Sequence, residues 1–225
     1  FLAQSTLTKE NRKTTGASRV YTLGPLIHNP QEVERLEELG IEAISDLSQI
    51  KRGTLIVPSH GLPESVLRKM ERKGLVLIDA TCPFVKRAQL LARRLSEKGY
   101  HVVIMGQKTH PEVVSLISFA CGKASIVRTP QDVEKVRTNK KIGLISQTTQ
   151  SVENFQKIVR RLRAKVKDYK IYDTICRETS ERQNEARDLA RKSDIMIVIG
   201  GKNSANTTVL YRICKKLTCA YHVES

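Results

Sequence analysis

Val76-Leu77-Ile78-Asp79-Ala80-Thr81-Cys82-Pro83 opens the stretch that decides the fold, and Val102-Val103-Ile104-Met105 closes it. Both ends are short apolar runs of the kind that form buried strands. Between them, residues 83–98 mix apolar and basic side chains at helical spacing, and Gly99 follows, a residue suited to ending a helix. Strand, helix and strand in that order form the repeating unit of a parallel α/β sheet.

Working outward, the same alternation fills the chain. Upstream, residues 20–23, 54–57 and 76–79 read as strands. Residues 30–39 and 63–73 read as helices stopped by Gly40 and Gly74. Downstream, strands are expected at 102–105, 125–127 and 142–146, with helices at 111–119, 130–136 and 152–165. A third round has strands at 171–173, 195–200 and 220–223 and helices at 179–192 and 207–217. Residues 2–12 read as a helix with no strand before it. This divides the chain into α/β lobes over 1–82, 83–170 and 171–225, the last too short to complete its sheet.

In open parallel sheets, ligands gather at the carboxyl ends of the strands. Here those positions hold Gly24-Pro25-Leu26-Ile27-His28-Asn29, Ser59-His60-Gly61, Asp79-Ala80-Thr81-Cys82, His110-Pro111-Glu112, Ser146-Gln147-Thr148-Thr149, Asp173-Thr174-Ile175-Cys176 and Gly200-Gly201-Lys202-Asn203-Ser204-Ala205-Asn206. Any one of them could be simple turn chemistry, and Asn206-Thr207 could be an ordinary helix cap. Seven at equivalent places favour one polar centre, suited to an anionic ligand that needs protons delivered. Cys82 and Cys176 each stand where a strand gives way to a helix, and a helix N-terminus favours the thiolate needed for metal ligation or nucleophilic attack. Cys121, Cys214 and Cys219 read as buried structural thiols. The Gly200-Gly201-Lys202 turn lacks the spacing of a phosphate-binding P-loop.

Composition limits the alternatives. The 225 residues are 40% hydrophobic, enough for a substantial core, and the apolar runs are too short to span a bilayer. Residues 1–13 lack the order of a signal peptide, so a soluble, cytoplasmic protein is expected. Five cysteines, an odd number, argue for reduced thiols over a disulfide framework. A formal charge of +16 and a pI of about 9.8 invite a basic nucleic-acid-binding module as the rival reading. With aromatics at 4% and no RNA-binding signature, a basic surface suited to small anions is favoured.

The ordered set of motifs resembles the LytB/IspH family of 4-hydroxy-3-methylbut-2-enyl diphosphate reductases. It comprises residues 20–29, Ser59-His60-Gly61, residues 79–83, His110-Pro111-Glu112, Gln147-Thr148-Thr149, residues 173–176, Glu181-Arg182-Gln183 and residues 200–206. The resemblance implies a trefoil of three small α/β lobes around a central [4Fe-4S] cluster, in an oxidoreductase closing the methylerythritol phosphate route of isoprene biosynthesis. It implies Cys82 and Cys176 as metal ligands, with a first ligand in a Gly-Phe-Cys motif upstream of residue 2. A later Ala-Gly-Ala-Ser segment would lie beyond Ser225, so the chain is expected to be an incomplete copy, and an inactive fragment is the alternative.

Glu112 is implied as the proton source and Thr148 as the hydroxyl bridging it to substrate. His28, His60, His110, Ser204 and Asn206, with the backbone at Ala205, would surround the diphosphate; Gln147 is a weaker supporting candidate. A ferredoxin- or flavodoxin-type donor would supply electrons.

Overall fold

The computed structural model describes residues 19–137 and 141–224; the helix expected over residues 2–12 lies outside them. The chain is α/β and divides into two compact units that meet in sequence between Cys82 and Pro83.

In the first unit, strands Val20–Leu23 (β1), Ile41–Ile44 (β2), Thr54–Val57 (β3) and Val76–Asp79 (β4) form a parallel sheet in the order β2-β1-β3-β4. Helices Pro30–Glu38 (α1) and Glu64–Arg72 (α2) connect them. Leu55 and Val57 pack on one face with Tyr21, Met70 and Leu75, while Ile56 packs on the other with Leu26 and Leu36. Alternate residues of β3 are thus buried on opposite faces, which is why the strand reads as a continuous apolar run.

The second unit begins with helix Pro83–Glu97 (α3). Its larger sheet holds His101–Met105 (β5), Ala124–Val127 (β6), Ile142–Ser146 (β7) and Tyr169–Ile171 (β8), parallel and ordered β6-β5-β7-β8. This is the strand order of the first sheet, repeated. Helices Pro111–Phe119 (α4) and Val152–Lys165 (α5) belong to it, and Phe155, Ile158 and Leu162 of α5 bury against Val103, Met105, Ile142 and Leu144. On the other face α3 comes so close to β7 that a Cβ on Gly143 would lie 2.6 Å from the Leu95 side chain, which would have to move to admit it.

Helix Arg177–Ala190 (α6), strand Ile195–Ile199 (β9), helix Ala205–Lys215 (α7) and strand Cys219–Val223 (β10) complete the second unit. The described residues give this last sheet two parallel strands, β10 beside β9, the same start as in the other two sheets. Val198, Ala190 and Cys214 form a small core, while Ile195, Ile197 and Ile199 turn outward.

Several local expectations need correction. Ile41–Ile44 was not legible as a strand, because only its two isoleucines are buried at this sheet edge. The strand expected at 171–173 ends at Ile171, since Asp173 is used in a turn. The segment near residue 130 is a short 3-10 helix, Pro130–Lys135. Of the three cysteines expected in the core, only Cys214 is buried. Cys121 is exposed because it takes a left-handed backbone, φ 54°, in the turn that ends α4. Cys219 is exposed because its strand position pairs with Ile195 on the outward face.

Candidate active site

The two Asp-x-x-Cys segments fold alike. Asp79 Oδ1 accepts a hydrogen bond from the Thr81 N–H at 3.0 Å, and Asp173 Oδ1 accepts one from the Ile175 N–H at 3.0 Å. These side-chain turns bend the chain out of the sheet, so that each cysteine stands at the start of a helix. Cys82 immediately precedes Pro83, the first residue of α3, and Cys176 is the N-cap of α6. Each cysteine N–H is fastened to the loop after the neighbouring strand. Cys82 N donates to the Ser59 carbonyl and Cys176 N to the Thr148 carbonyl, both at 2.9 Å. Both thiols are free and half-buried.

In the first unit, the loops after β1, β3 and β4 are laced together. The Ser59 hydroxyl donates to the Leu26 carbonyl at 3.1 Å, and the rings of His28 and His60 stack at 5.3 Å with 20° between planes. Burial lowers the His28 pKa, so its imidazole is neutral at neutral pH.

The second unit holds the acid–base pair. Glu112 lies in the first turn of α4, behind Pro111, and is only 2% exposed. Its Oε1 accepts from the Thr148 N–H at 2.7 Å and its Oε2 from the Thr148 hydroxyl at 2.9 Å. Loss of hydration raises the Glu112 pKa to about 7, against the two hydrogen bonds from Thr148, which lower it. His110, the N-cap of α4, accepts the Glu112 N–H through Nδ1 at 3.2 Å, which leaves its ring proton on Nε2. Thr148 therefore joins Glu112, through its N–H and hydroxyl, to Cys176, through its carbonyl.

A buried knot fixes that loop: Thr174 Oγ1 donates to the Ser146 carbonyl at 2.6 Å and accepts the Ser146 N–H at 2.8 Å. Gln147, fully buried, accepts the Gln107 N–H at 3.2 Å and donates to Thr149 Oγ1 at 3.1 Å. A Cβ on Gly106 would press on the same Gln147 amide.

The third polar cluster is organised differently from expectation. The cap of α7 is Ser204, whose Oγ accepts the Thr207 N–H at 3.3 Å; the helix begins at Ala205, so Asn206 and Thr207 lie inside its first turn. The buried Oδ1 of Asn206 has no partner among the described residues. Gly200, at φ 151°, admits Thr207 so closely that a Cβ would lie 2.7 Å from its hydroxyl.

The structure thus brings His110, Glu112, Thr148 and Cys176 into one bonded network, and His28, His60 and Cys82 onto the laced loops of the first unit. Ser204, Ala205 and Asn206 form a separate helix start. As donors for an iron–sulfur cluster, Cys82 and Cys176 fit in chemistry, being free thiols at helix N-termini. In number they fall short: among the described residues no three His, Cys, Asp or Glu side chains gather as a metal site. The sequence showed Ser146 and Thr174 only as members of polar loops and Gln183 only as part of the Glu181-Arg182-Gln183 motif, and it did not single out Gln89; their supporting bonds join residues 26 to 33 positions apart and are visible only in the fold.

A profile of the LytB protein family matches residues 3–225. The chain belongs to the LytB family. Its relatives include the 4-hydroxy-3-methylbut-2-enyl diphosphate reductase of Geotalea uraniireducens (strain Rf4), 45% identical over 207 residues, covering 92% of this chain and 73% of the relative. That of Aquifex aeolicus (strain VF5) is 44% identical over 212 residues, with the same shares covered.

Among solved structures, this LytB chain matches the E-1-hydroxy-2-methyl-but-2-enyl-4-diphosphate reductase of Plasmodium falciparum. The TM-score is 0.88 at 27% identity, over 93% of this chain and 68% of that one. A second match is to (E)-4-hydroxy-3-methyl-but-2-enyl diphosphate reductase, described as the terminal enzyme of the non-mevalonate pathway. Its TM-score is 0.72 at 42% identity, over 98% of this chain and 80% of that one. Among the described residues no helix is long and apolar enough to cross a membrane.

Proposed function

We propose that this LytB chain carries the reductive dehydroxylation of 4-hydroxy-3-methylbut-2-enyl diphosphate to isopentenyl and dimethylallyl diphosphates. The carbon–oxygen bond to the hydroxyl breaks, the oxygen leaves as water with one added proton, and two electrons and a second proton complete the product. The observation that carries this reading is Glu112, a carboxyl buried without a cationic partner among the described residues and poised near neutrality.

Glu112 holds the proton for the leaving oxygen, because a group with a pKa near the working pH is both protonated and willing to donate. Thr148 relays it: its hydroxyl donates to the ionised carboxylate and can accept from the protonated one. The imidazoles of His28, His60 and His110 offer ring N–H groups to phosphate oxygens. Ser204, whose oxygen already accepts the Thr207 N–H, keeps its own proton for a ligand. Asn206 adds an amide with an unmet hydrogen bond, and Ala205 a backbone N–H at the positive end of α7.

Cys82 and Cys176 would hold a [4Fe-4S] cluster as thiolates; when bound, it supplies Lewis acidity at the hydroxyl and the route for two electrons. A ferredoxin- or flavodoxin-type protein is the proposed electron source. Five cysteines without a disulfide support a cytoplasmic setting.

The test is Glu112→Gln in the complete enzyme, assayed with an artificial reductant. The amide keeps the shape and loses the proton, so turnover should fall by about 100-fold or more, with cluster absorbance unchanged. Turnover within about twofold of wild type would refute the proton role.

A further inference from the structure

Each of the two cysteine-led helices carries a buried glutamine seven positions beyond its cysteine: Gln89 on α3 after Cys82, and Gln183 on α6 after Cys176. Seven residues are two helical turns, so each amide lies along the helix face beneath its cysteine. A buried amide is costly unless its donors and acceptor are used. Gln183, with no exposed surface, uses both ends on the backbone just past Thr148. Its Nε2 donates to the Gln150 carbonyl at 2.9 Å, and its Oε1 accepts the Val152 N–H at 3.3 Å.

Gln150 passes the link on, donating to Gln147 Oε1 at 3.0 Å, and that same oxygen holds the Gln107 N–H in the loop that leads to His110. Gln89 reaches the other member of the acid–base pair. Its Nε2 donates at 2.8 Å to the hydroxyl of Ser115, fully buried one turn after Glu112 on α4. One glutamine grips the segment carrying Thr148, and the other grips the helix carrying Glu112.

We infer that Gln89 and Gln183 are positioning residues that hold the Glu112–Thr148 pair in register with the two cysteine-led helices. The inference rests on Glu112 being the proton source. Methionine would fill a similar volume but leave the Val152 N–H, the Gln150 carbonyl and the Ser115 hydroxyl without these bonds, so lost stability alone does not identify the role of the amides. What the amides add is direction. Two bonds from one side chain to residues 150 and 152 fix both the distance and the tilt of the loop, and displacing a reacting group by about 1 Å can cost about 100-fold in rate.

Gln183→Met and Gln89→Met, made in the complete enzyme, test this against Leu162→Val, a core change on α5 outside these bonds. Each glutamine variant should lower kcat by about tenfold or more, with KM within about threefold. In the metal-free, 15N-labelled protein, amide exchange at Thr148 and Cys176 should accelerate at least tenfold in Gln183→Met. Leu162→Val should lower the melting temperature without either effect. Should Gln183→Met fail to fold, Gln183→Glu, which keeps the acceptor for Val152, is read the same way. Glutamine variants that lose only melting temperature, with kcat and local exchange as in wild type, overturn the inference. A Glu112→Gln enzyme with intact turnover would sink the proton role alone, leaving amide exchange to decide the glutamines.

Discussion

Glu112 shows how burial and a single partner set the state of one carboxyl. Desolvation raises its pKa to about 7, and both hydrogen bonds from Thr148 pull the other way. The folded protein therefore holds a proton that the unfolded chain releases near pH 4.5. This group's contribution to stability is fully present below about 4.5 and is lost as pH rises through about 7. Turnover that needs the protonated carboxyl should fall over the same upper range. Thr148→Val removes the hydroxyl that favours the carboxylate while leaving the backbone N–H, so the falling limb of the pH–rate profile should move to higher pH. A limb that stays put would mean the profile belongs to another group. At this scale the sequence was informative about residue types: His110, Glu112 and Thr148 stood out as polar residues at strand ends. Their pairing was invisible, because Glu112 and Thr148 lie 36 residues apart and meet only once β5 and β7 are neighbours.

At the scale of elements, boundaries were legible where covalent chemistry dictates them. Pro30, Pro83 and Pro111 begin helices because proline has no N–H to lose at a first turn, and Gly40, Gly74 and Gly99 follow helices in left-handed backbone. The start of α7 was misplaced because Ser204, Asn206 and Thr207 all have capping side chains, and only the fold shows that Ser204 caps. That cap separates two roles Ser204 could have. Ser204→Ala should cost about 1 kcal/mol of stability through the lost cap. Ser204→Asp keeps a capping oxygen and adds a favourable charge at the helix N-terminus, so its melting temperature should match wild type. The same charge would repel a diphosphate, and KM for substrate should rise at least tenfold in the complete enzyme. An Asp variant with unchanged KM would remove Ser204 from the binding site.

For the whole molecule, the repeat of strand order explains why so much was readable: one βαβ grammar is used three times, and each round places its polar residues at the same strand ends. Charge is less evenly spread than the sequence suggested, since residues 83–225 hold 28 of the 39 Lys and Arg but 13 of the 23 Asp and Glu. The unit with Glu112 is thus the strongly basic one, which favours anionic substrates. Periodicity hid one feature. The run Ile195-Met196-Ile197-Val198-Ile199 looks like a strand buried on both faces, yet only one face is covered among the described residues. Ile195, Ile197 and Ile199 are 59%, 62% and 68% exposed, and Tyr221 of β10, paired with Ile197, extends the same face. An apolar strip of this kind drives association in water. The 225-residue chain should therefore bind an apolar fluorescent dye and sediment as more than a monomer at micromolar concentration. Ile197→Lys places a charge at the centre of the strip without touching Val198, Ala190 or Cys214, and should reduce both signals with the circular dichroism spectrum unchanged. If the parent chain is monomeric and dark to the dye, that face is covered by residues of the chain itself, and Ile197→Lys should instead lower the melting temperature.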